Sequence, residues 1–244
     1  MAKKSVARAR VRERTSPIVV GGLAVIAILV VLVLIQAGRQ DDYAAVSTIP
    51  APTGVETGVT AEGHYYRGRL DAKVILVEYE DLRCPFCRRF FADTEPQILE
   101  QYVRQGLVRE ESRLIAILGS PSVSAAEAAH CAGEQGKFWE FRHVAFTNQP
   151  LESNPDGRAN FVKYAESLGV DIPKFTTCFD TQRYREKVNQ ALDEAQAAGV
   201  DSTPTFFVNG VKYAGAFPFL PDDNSQVGFK GILDAAVTAA GGGG

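Results

Sequence analysis

Much of what this 244-residue chain could be is excluded by what it lacks. It carries only three histidines and four cysteines. A structural zinc site takes four ligands, usually as a second C-x-x-C or an H-x3–5-H pair beside the first. Neither is present: Cys131 and Cys178 stand alone, and His64, His130 and His143 fall at no such spacing. No unit of about 20–50 residues repeats, which excludes a solenoid or propeller. The composition, 45% hydrophobic and 23% charged, excludes an intrinsically disordered chain. The first sixteen residues hold six basic side chains and one acidic; the remainder has 20 basic against 28 acidic, a net of −8. That is not the charge of a nucleic-acid binder.

Two of the four cysteines make the most informative motif. Cys84-Pro85-Phe86-Cys87 follows the apolar run Val74-Ile75-Leu76-Val77 and heads a stretch with helical periodicity. Cysteines at this spacing can close on each other across one helical turn. A helix N-terminus offers the first sulfur unpaired N–H groups and a partial positive charge, which favour the nucleophilic thiolate. In such settings the thiol pKa falls to roughly 3.5–7.5, against about 8.5 for a free cysteine. Pro85 suits the first helical position, where its missing N–H would be unpaired anyway. The motif reads as a dithiol that makes and breaks disulfides; half a zinc site and an inert structural disulfide are the competing readings.

The N-terminus reads as a membrane anchor. Residues 18–35 are uncharged and would span about 27 Å as a helix, close to the roughly 30 Å hydrocarbon core of a bilayer. Lys3, Lys4, Arg8, Arg10, Arg12 and Arg14 precede the run against Glu13 alone, whereas Arg39, Asp41 and Asp42 follow it. Basic excess belongs on the cytoplasmic side, so the C-terminal part is expected outside the cell membrane. A cleaved signal peptide is the competing reading, but its apolar region is shorter and ends in an A-x-A-like site. Gln36-Ala37-Gly38-Arg39 offers none. The expected organisation is a cytoplasmic basic segment over residues 1–16, one transmembrane signal anchor over 17–36, and a flexible linker over 37–62. A globular domain over 63–240 and a tail over 241–244 complete it. The linker is poor in large apolar residues and carries Pro50, Pro52, Gly54 and Gly58.

Far along the chain, Thr203-Pro204-Thr205-Phe206-Phe207-Val208-Asn209-Gly210 opens a short β-prone run with proline and ends it in Asn-Gly, a strong hairpin signal. Together with Glu78, the segment Asp81-Leu82-Arg83-Cys84-Pro85-Phe86-Cys87 and Gln135-Gly136-Lys137-Phe138-Trp139-Glu140, it resembles the DsbA-like branch of the thioredoxin superfamily. The resemblance runs from about Gly63 to Ala240, with the motifs in the family's order. It implies an α/β thioredoxin fold with an inserted helical subdomain, here preceded by one transmembrane helix. It also implies a cis Thr203–Pro204 bond packed against the active-site disulfide, and thiol-disulfide oxidoreductase activity outside the cytoplasm. One departure stands out. Strongly oxidising members often carry histidine where this chain has Phe86, and phenylalanine cannot donate a hydrogen bond to the thiolate.

The rest of the domain alternates as an α/β fold should. Residues 74–80 form a nearly continuous apolar strand, and Cys87, Phe90, Phe91, Ile98, Leu99, Tyr102 and Val103 follow at helical spacing, with a kink expected at Pro96. Residues 114–118 read as the next strand, and 124–198 as helical, so the insertion is placed at about 119–198. Residues 211–213 would close a hairpin and 229–240 form a last helix. Phe138 and Trp139 read as core, and His130 and His143 as helix-surface or satisfied residues.

Cys131 and Cys178 both fall in the insertion. Of the three pairings open to four cysteines, only one leaves Cys84 and Cys87 free to cycle, which favours a structural Cys131–Cys178 disulfide in an exported domain; two buried free thiols are the alternative. Glu78 is unusual inside an apolar strand, where burial raises a carboxyl pKa. It could relay protons to Cys87, the more buried sulfur, as the family pattern implies, or simply reach solvent at a strand end. Arg83, Arg88 and Arg89 could add positive potential around Cys84 or be solvated.

The expected activity is introduction of disulfides into exported proteins with free thiols. Catalysis falls to Cys84 and Cys87 with Pro85, Phe86 and Glu78, and substrate backbone to Thr203 and Pro204. No cofactor or metal is called for. The partners are those substrates and a membrane reoxidant, quinone-linked; nucleic acid is not among them. A disulfide isomerase or reductase would use the same residues, and a membrane-tethered chaperone or binding module would keep the fold and leave the dithiol unused.

Overall fold

Strands and helices alternate through residues 54–149, 157–221 and 227–241, the parts of the chain that the computed structural model describes. In chain order the strands are β1 (Thr57–Val59), β2 (Tyr65–Arg67), β3 (Val74–Glu80), β4 (Val108–Leu114), β5 (Thr205–Val208) and β6 (Val211–Ala214). The helices are α1 (Pro85–Asp93), α2 (Glu95–Ile98, continued by a π-turn over Leu99–Val103), α3 (Ser120–Gly133) and α4 (Phe138–Thr147), then α5 (Gly157–Ser167), α6 (Ile172–Asp180), α7 (Arg185–Ala197) and α8 (Phe229–Ala239). All belong to one compact unit, Val46–Gly244. The other unit, Met1–Ala45, holds the expected basic segment and anchor and lies outside the described residues, as do residues 46–53 and 242–244. Among the described residues no helix is long and apolar enough to cross a membrane.

The six strands form one mixed sheet in the order β1-β2-β4-β3-β5-β6. Only β3 and β4 run parallel, from Val74 opposite Val108 to Glu80 opposite Leu114. On one face, Val74 and Leu76 of β3 pack with Phe90 of α1, Ile98 of α2 and Leu233 of α8. Phe90, Phe206 and Phe229 meet there with ring centroids 4.5–5.2 Å apart, pairs each worth about 0.5–1.5 kcal/mol beyond their buried area. The other face meets α7, whose Ala191, Leu192 and Ala195 contact Tyr79, Ile115 and Phe207.

Helices α3–α7 form the insertion. Alanines 125, 128, 129 and 132 on α3 leave room for Phe141 of α4, Phe161 of α5 and Phe175 of α6 to close around it. Cys131 and Cys178 are joined by a disulfide between α3 and α6, with both residues buried.

Four expectations need correction. The strand placed at residues 114–118 is Val108–Leu114, and its sequence hides it because Glu110, Glu111 and Ser112 are buried polar residues. They are tolerated because arginine meets each acid: Arg67 clasps Glu110 through two bonds of 2.9 Å, and Arg109 and Arg113 each approach Glu111 to 2.8 Å. The helix expected to kink at Pro96 instead breaks at Thr94, whose hydroxyl donates to the carbonyl of Phe217. Pro96 then sits in the first turn of α2, where its missing N–H costs nothing. The linker expected through residue 62 ends earlier, since Thr57–Val59 pairs with β2 as a sheet edge. His130 is neither on the surface nor satisfied: it is buried, and its Nδ1 has no hydrogen-bond partner.

Candidate redox site

The loop from β3 to α1 carries the redox motif, at the C-terminal end of the two parallel strands. Cys84 is the N-cap of α1 and Pro85 its first residue; no side chain caps the helix. The free N–H groups of the first turn are therefore left facing the Cys84 sulfur. Pro85 and Phe86 are exposed, Phe86 at 59%, whereas Cys84 is 4% accessible and Cys87 not at all. Both are free thiols. Attack from outside can reach only Cys84.

The sulfurs titrate in opposite directions. A hydrogen bond from Cys87 is the main force holding the Cys84 thiol down at about 6; burial opposes it, and the Thr203 side chain and the N–H groups of Cys87 and Phe86 assist. Burial pushes the Cys87 thiol well up, and the neighbouring Cys84 and Glu78 push it further. As a thiol, Cys84 donates to the carbonyl of Thr203 at 3.3 Å. The Thr203–Pro204 bond is cis. The structure thus brings Cys84, Cys87, Thr203, Pro204 and Glu78 into one neighbourhood and keeps Cys131 and Cys178 apart in their own bridge.

Glu78 lies inside the protein, 1% exposed, and does not reach solvent. Arg142 donates to its Oε2 at 3.0 Å, while Oε1 has no partner. Burial, then the charge of Glu80, raises its carboxyl well above the ordinary range despite Arg142. Arg142 also donates to Glu80 at 2.7 Å and Glu95 at 3.1 Å. It thereby ties α4 to β3 and α2. Burial acts against ionised Glu95, but Arg142 and Arg67 together hold it down at about 2. Glu78, Glu95 and Glu110 have carboxylate oxygens within 4.8 Å of one another. Guanidinium groups interleave them, so the arrangement is an ion-pair cluster and not a ready cation cage.

Sequence reading missed three residues that shape the turn. Asp81, buried, accepts hydrogen bonds from the N–H groups of Arg83, Ile117 and Leu118, tying the redox turn to the loop after β4. Gln149 donates to the carbonyls of Leu82 at 2.8 Å and Cys84 at 3.1 Å, bracing the turn from the end of α4. Arg142 left a readable signal, because it falls four residues after Phe138 on the apolar face of a helix. Asp81 stood inside the quoted motif with no role assigned, and Gln149 left no signal, since it acts on backbone 65 and 67 residues away. Arg83, Arg88 and Arg89 do not account for the low pKa of Cys84, which follows from hydrogen bonds.

Comparison with known proteins agrees with this geometry. The sequence profile of a family described as thioredoxin matches residues 60–234. The fold is similar to that of BdbD from Bacillus subtilis, at 22% identity and a TM-score of 0.65 over 76% of this chain and 100% of that one. It is also similar to DsbA from Mycobacterium tuberculosis, at 26% identity and a TM-score of 0.51 over 76% and 98%. A curated relative, Na(+)/H(+) antiporter NhaA 3 of Salinispora tropica, is 34% identical over 161 residues, 65% of this chain and 24% of the relative. The chain thus spans about a quarter of that relative's length.

Proposed function

The chain belongs to the thioredoxin family, and from that premise we propose that it is a thiol-disulfide oxidoreductase that introduces disulfides into exported proteins through Cys84 and Cys87. The observation that carries this reading is the opposition within the pair: an edge-accessible sulfur held at about 6 beside a sealed one pushed up. A structural disulfide or half a metal site needs no such difference.

The reaction begins with the pair oxidised. A substrate thiolate attacks Sγ of Cys84, the Cys84–Cys87 bond breaks, and Cys87 leaves as a thiolate in a site that disfavours charge. Glu78, whose carboxyl burial makes a weaker acid, is the group placed to supply a proton there. A second substrate thiolate then attacks its own sulfur in the mixed disulfide and expels Cys84, a good leaving group because its pKa is low. Two electrons pass from substrate to enzyme; the substrate gains a disulfide and the enzyme a dithiol. The carbonyl of Thr203, beside Cys84, offers an acceptor to extended substrate backbone. A membrane reoxidant, quinone-linked, would remove the electrons.

The extracytoplasmic, membrane-anchored setting rests on residues 1–36 and their charge asymmetry. The antiporter relatives, in which the matched domain shares a chain named for a membrane protein, support it. The decisive experiment is redox equilibration with glutathione alongside trapping by Cys87→Ser. A potential above roughly −200 mV with mixed disulfides captured at Cys84 supports the oxidase. A potential near roughly −270 mV would make the chain a reductant, and a Cys84→Ala protein with unchanged cellular activity would leave only a binding module.

A further inference from the structure

A cavity of about 630 Å³ lies away from the redox turn, between the sheet and α7. Tyr65, Arg113, His130, Lys187, Glu62 and Glu194 are among its walls, and none of residues 81–87 or 203–204 lines it. Its volume is in the range of small-molecule sites, roughly 300–1,000 Å³.

Its cations are incompletely partnered. Arg113, half-buried, donates through Nη2 to Glu111 at 2.8 Å, but its Nη1 is shielded from water without a hydrogen-bond partner. Lys187, also half-buried, donates to the carbonyl of Gly63 at 2.8 Å and forms no ion pair among the described residues; its ammonium lies 5.8 and 5.9 Å from the Tyr65 and Tyr184 rings. Burial lowers the pKa of both, and Arg113 lowers that of Lys187 further. The acids of the cavity relieve this only in part. Glu62 and Glu194 are exposed, neither pairs directly with a cation, and they act on Arg113 only at longer range. His130 completes the aromatic wall. It stacks on Tyr184 with centroids 4.9 Å apart, is held neutral by burial and by Lys187, and keeps a partnerless Nδ1.

We propose that this cavity binds a small organic anion, with its carboxylate or phosphate between Arg113 and Lys187 and its body against Tyr65 and His130. The Lys187 ammonium carries three N–H donors and gives one to the carbonyl of Gly63, and an anion supplies a further acceptor. Arg113, already on Glu111 through Nη2, adds positive charge beside Lys187. Cations set deeper than carboxylates select against a cationic guest. The proposal stands independently of the redox reading, since it uses none of the same residues.

The test uses the full chain in detergent, titrated with sodium benzoate and separately with inorganic phosphate, against sodium chloride at matched ionic strength. Calorimetry and thermal unfolding give the readout, with His130 side-chain NMR as a local reporter. A saturable heat and a raised Tm with either probe, weakened roughly tenfold by Lys187→Gln and by Arg113→Gln, is the expected result, about the loss of one charge-assisted bond. Whichever probe binds identifies the head group. Unchanged Cys84 alkylation in both variants shows that they are folded. No saturation with either probe, a shift that chloride reproduces, or binding that both variants retain would overturn the proposal.

Discussion

Cys84 and Cys87 lie one helical turn apart yet titrate in opposite directions, and proton bookkeeping turns that into a measurable curve. Below about pH 6 reduction of the pair takes up two protons with two electrons, so the potential should fall by about 59 mV per pH unit. Above it the Cys84 thiolate persists, one proton is taken up, and the slope should halve to about 30 mV per unit. The low pKa favours the reduced form on the alkaline side, making the pair more oxidising there than an unshifted dithiol. A glutathione titration from pH 5 to 8 with no break would refute the activation of Cys84. Glu78 supplies a second residue-scale prediction. Glu78→Gln keeps an acceptor for Arg142 but removes the transferable proton beside Cys87. It should slow formation of the mixed disulfide by roughly a hundredfold, the lower end of general acid–base effects, while leaving the alkylation pKa of Cys84 in place. Quenched-flow alkylation measures both; an unchanged rate would reduce Glu78 to an ion-pair partner.

Among the elements, α3 and α6 are held by Cys131–Cys178, which closes a loop of 47 residues. Replacing both cysteines by serine should cost about 3–4 kcal/mol in the chain-entropy treatment, read as a lower urea midpoint with the Cys84 pKa retained. A midpoint within error of the parent would mean that the alanine-lined packing of α3 holds the insertion unaided. The same elements show what the sequence could disclose. A nearly continuous apolar run located β3, and a β-prone run closed by Asn-Gly located the β5–β6 hairpin, because each signal is contiguous in the chain. Apolar patterning misplaced β4, whose buried residues include Glu110, Glu111 and Ser112, and the Arg67 that satisfies Glu110 lies 43 residues away. No local pattern encodes that. The break at Thr94 was hidden for the same reason, since the group that ends the helix is a carbonyl 123 residues away.

For the whole molecule, the sequence pointed to the Cys84–Cys87 pair and to the Thr203–Pro204 loop beside it because each is a contiguous motif. It did not disclose Asp81 or Gln149, which brace the turn through backbone bonds across the fold. The anchored, outward-facing arrangement proposed from residues 1–36 yields a direct check. Protease added to intact cells should digest the domain after residue 40. Protection until the cells are lysed would discard the exported-oxidase proposal whatever the potential of the pair. The Cys131–Cys178 bridge finally bears on how the protein comes to exist. Each newly made chain needs a structural disulfide of its own, so under the proposed activity it is a client of the chemistry it performs. Maturation would then be self-seeding: an initial copy waits on some other oxidant, later copies are completed by their predecessors, and the pool of finished molecules grows in proportion to itself.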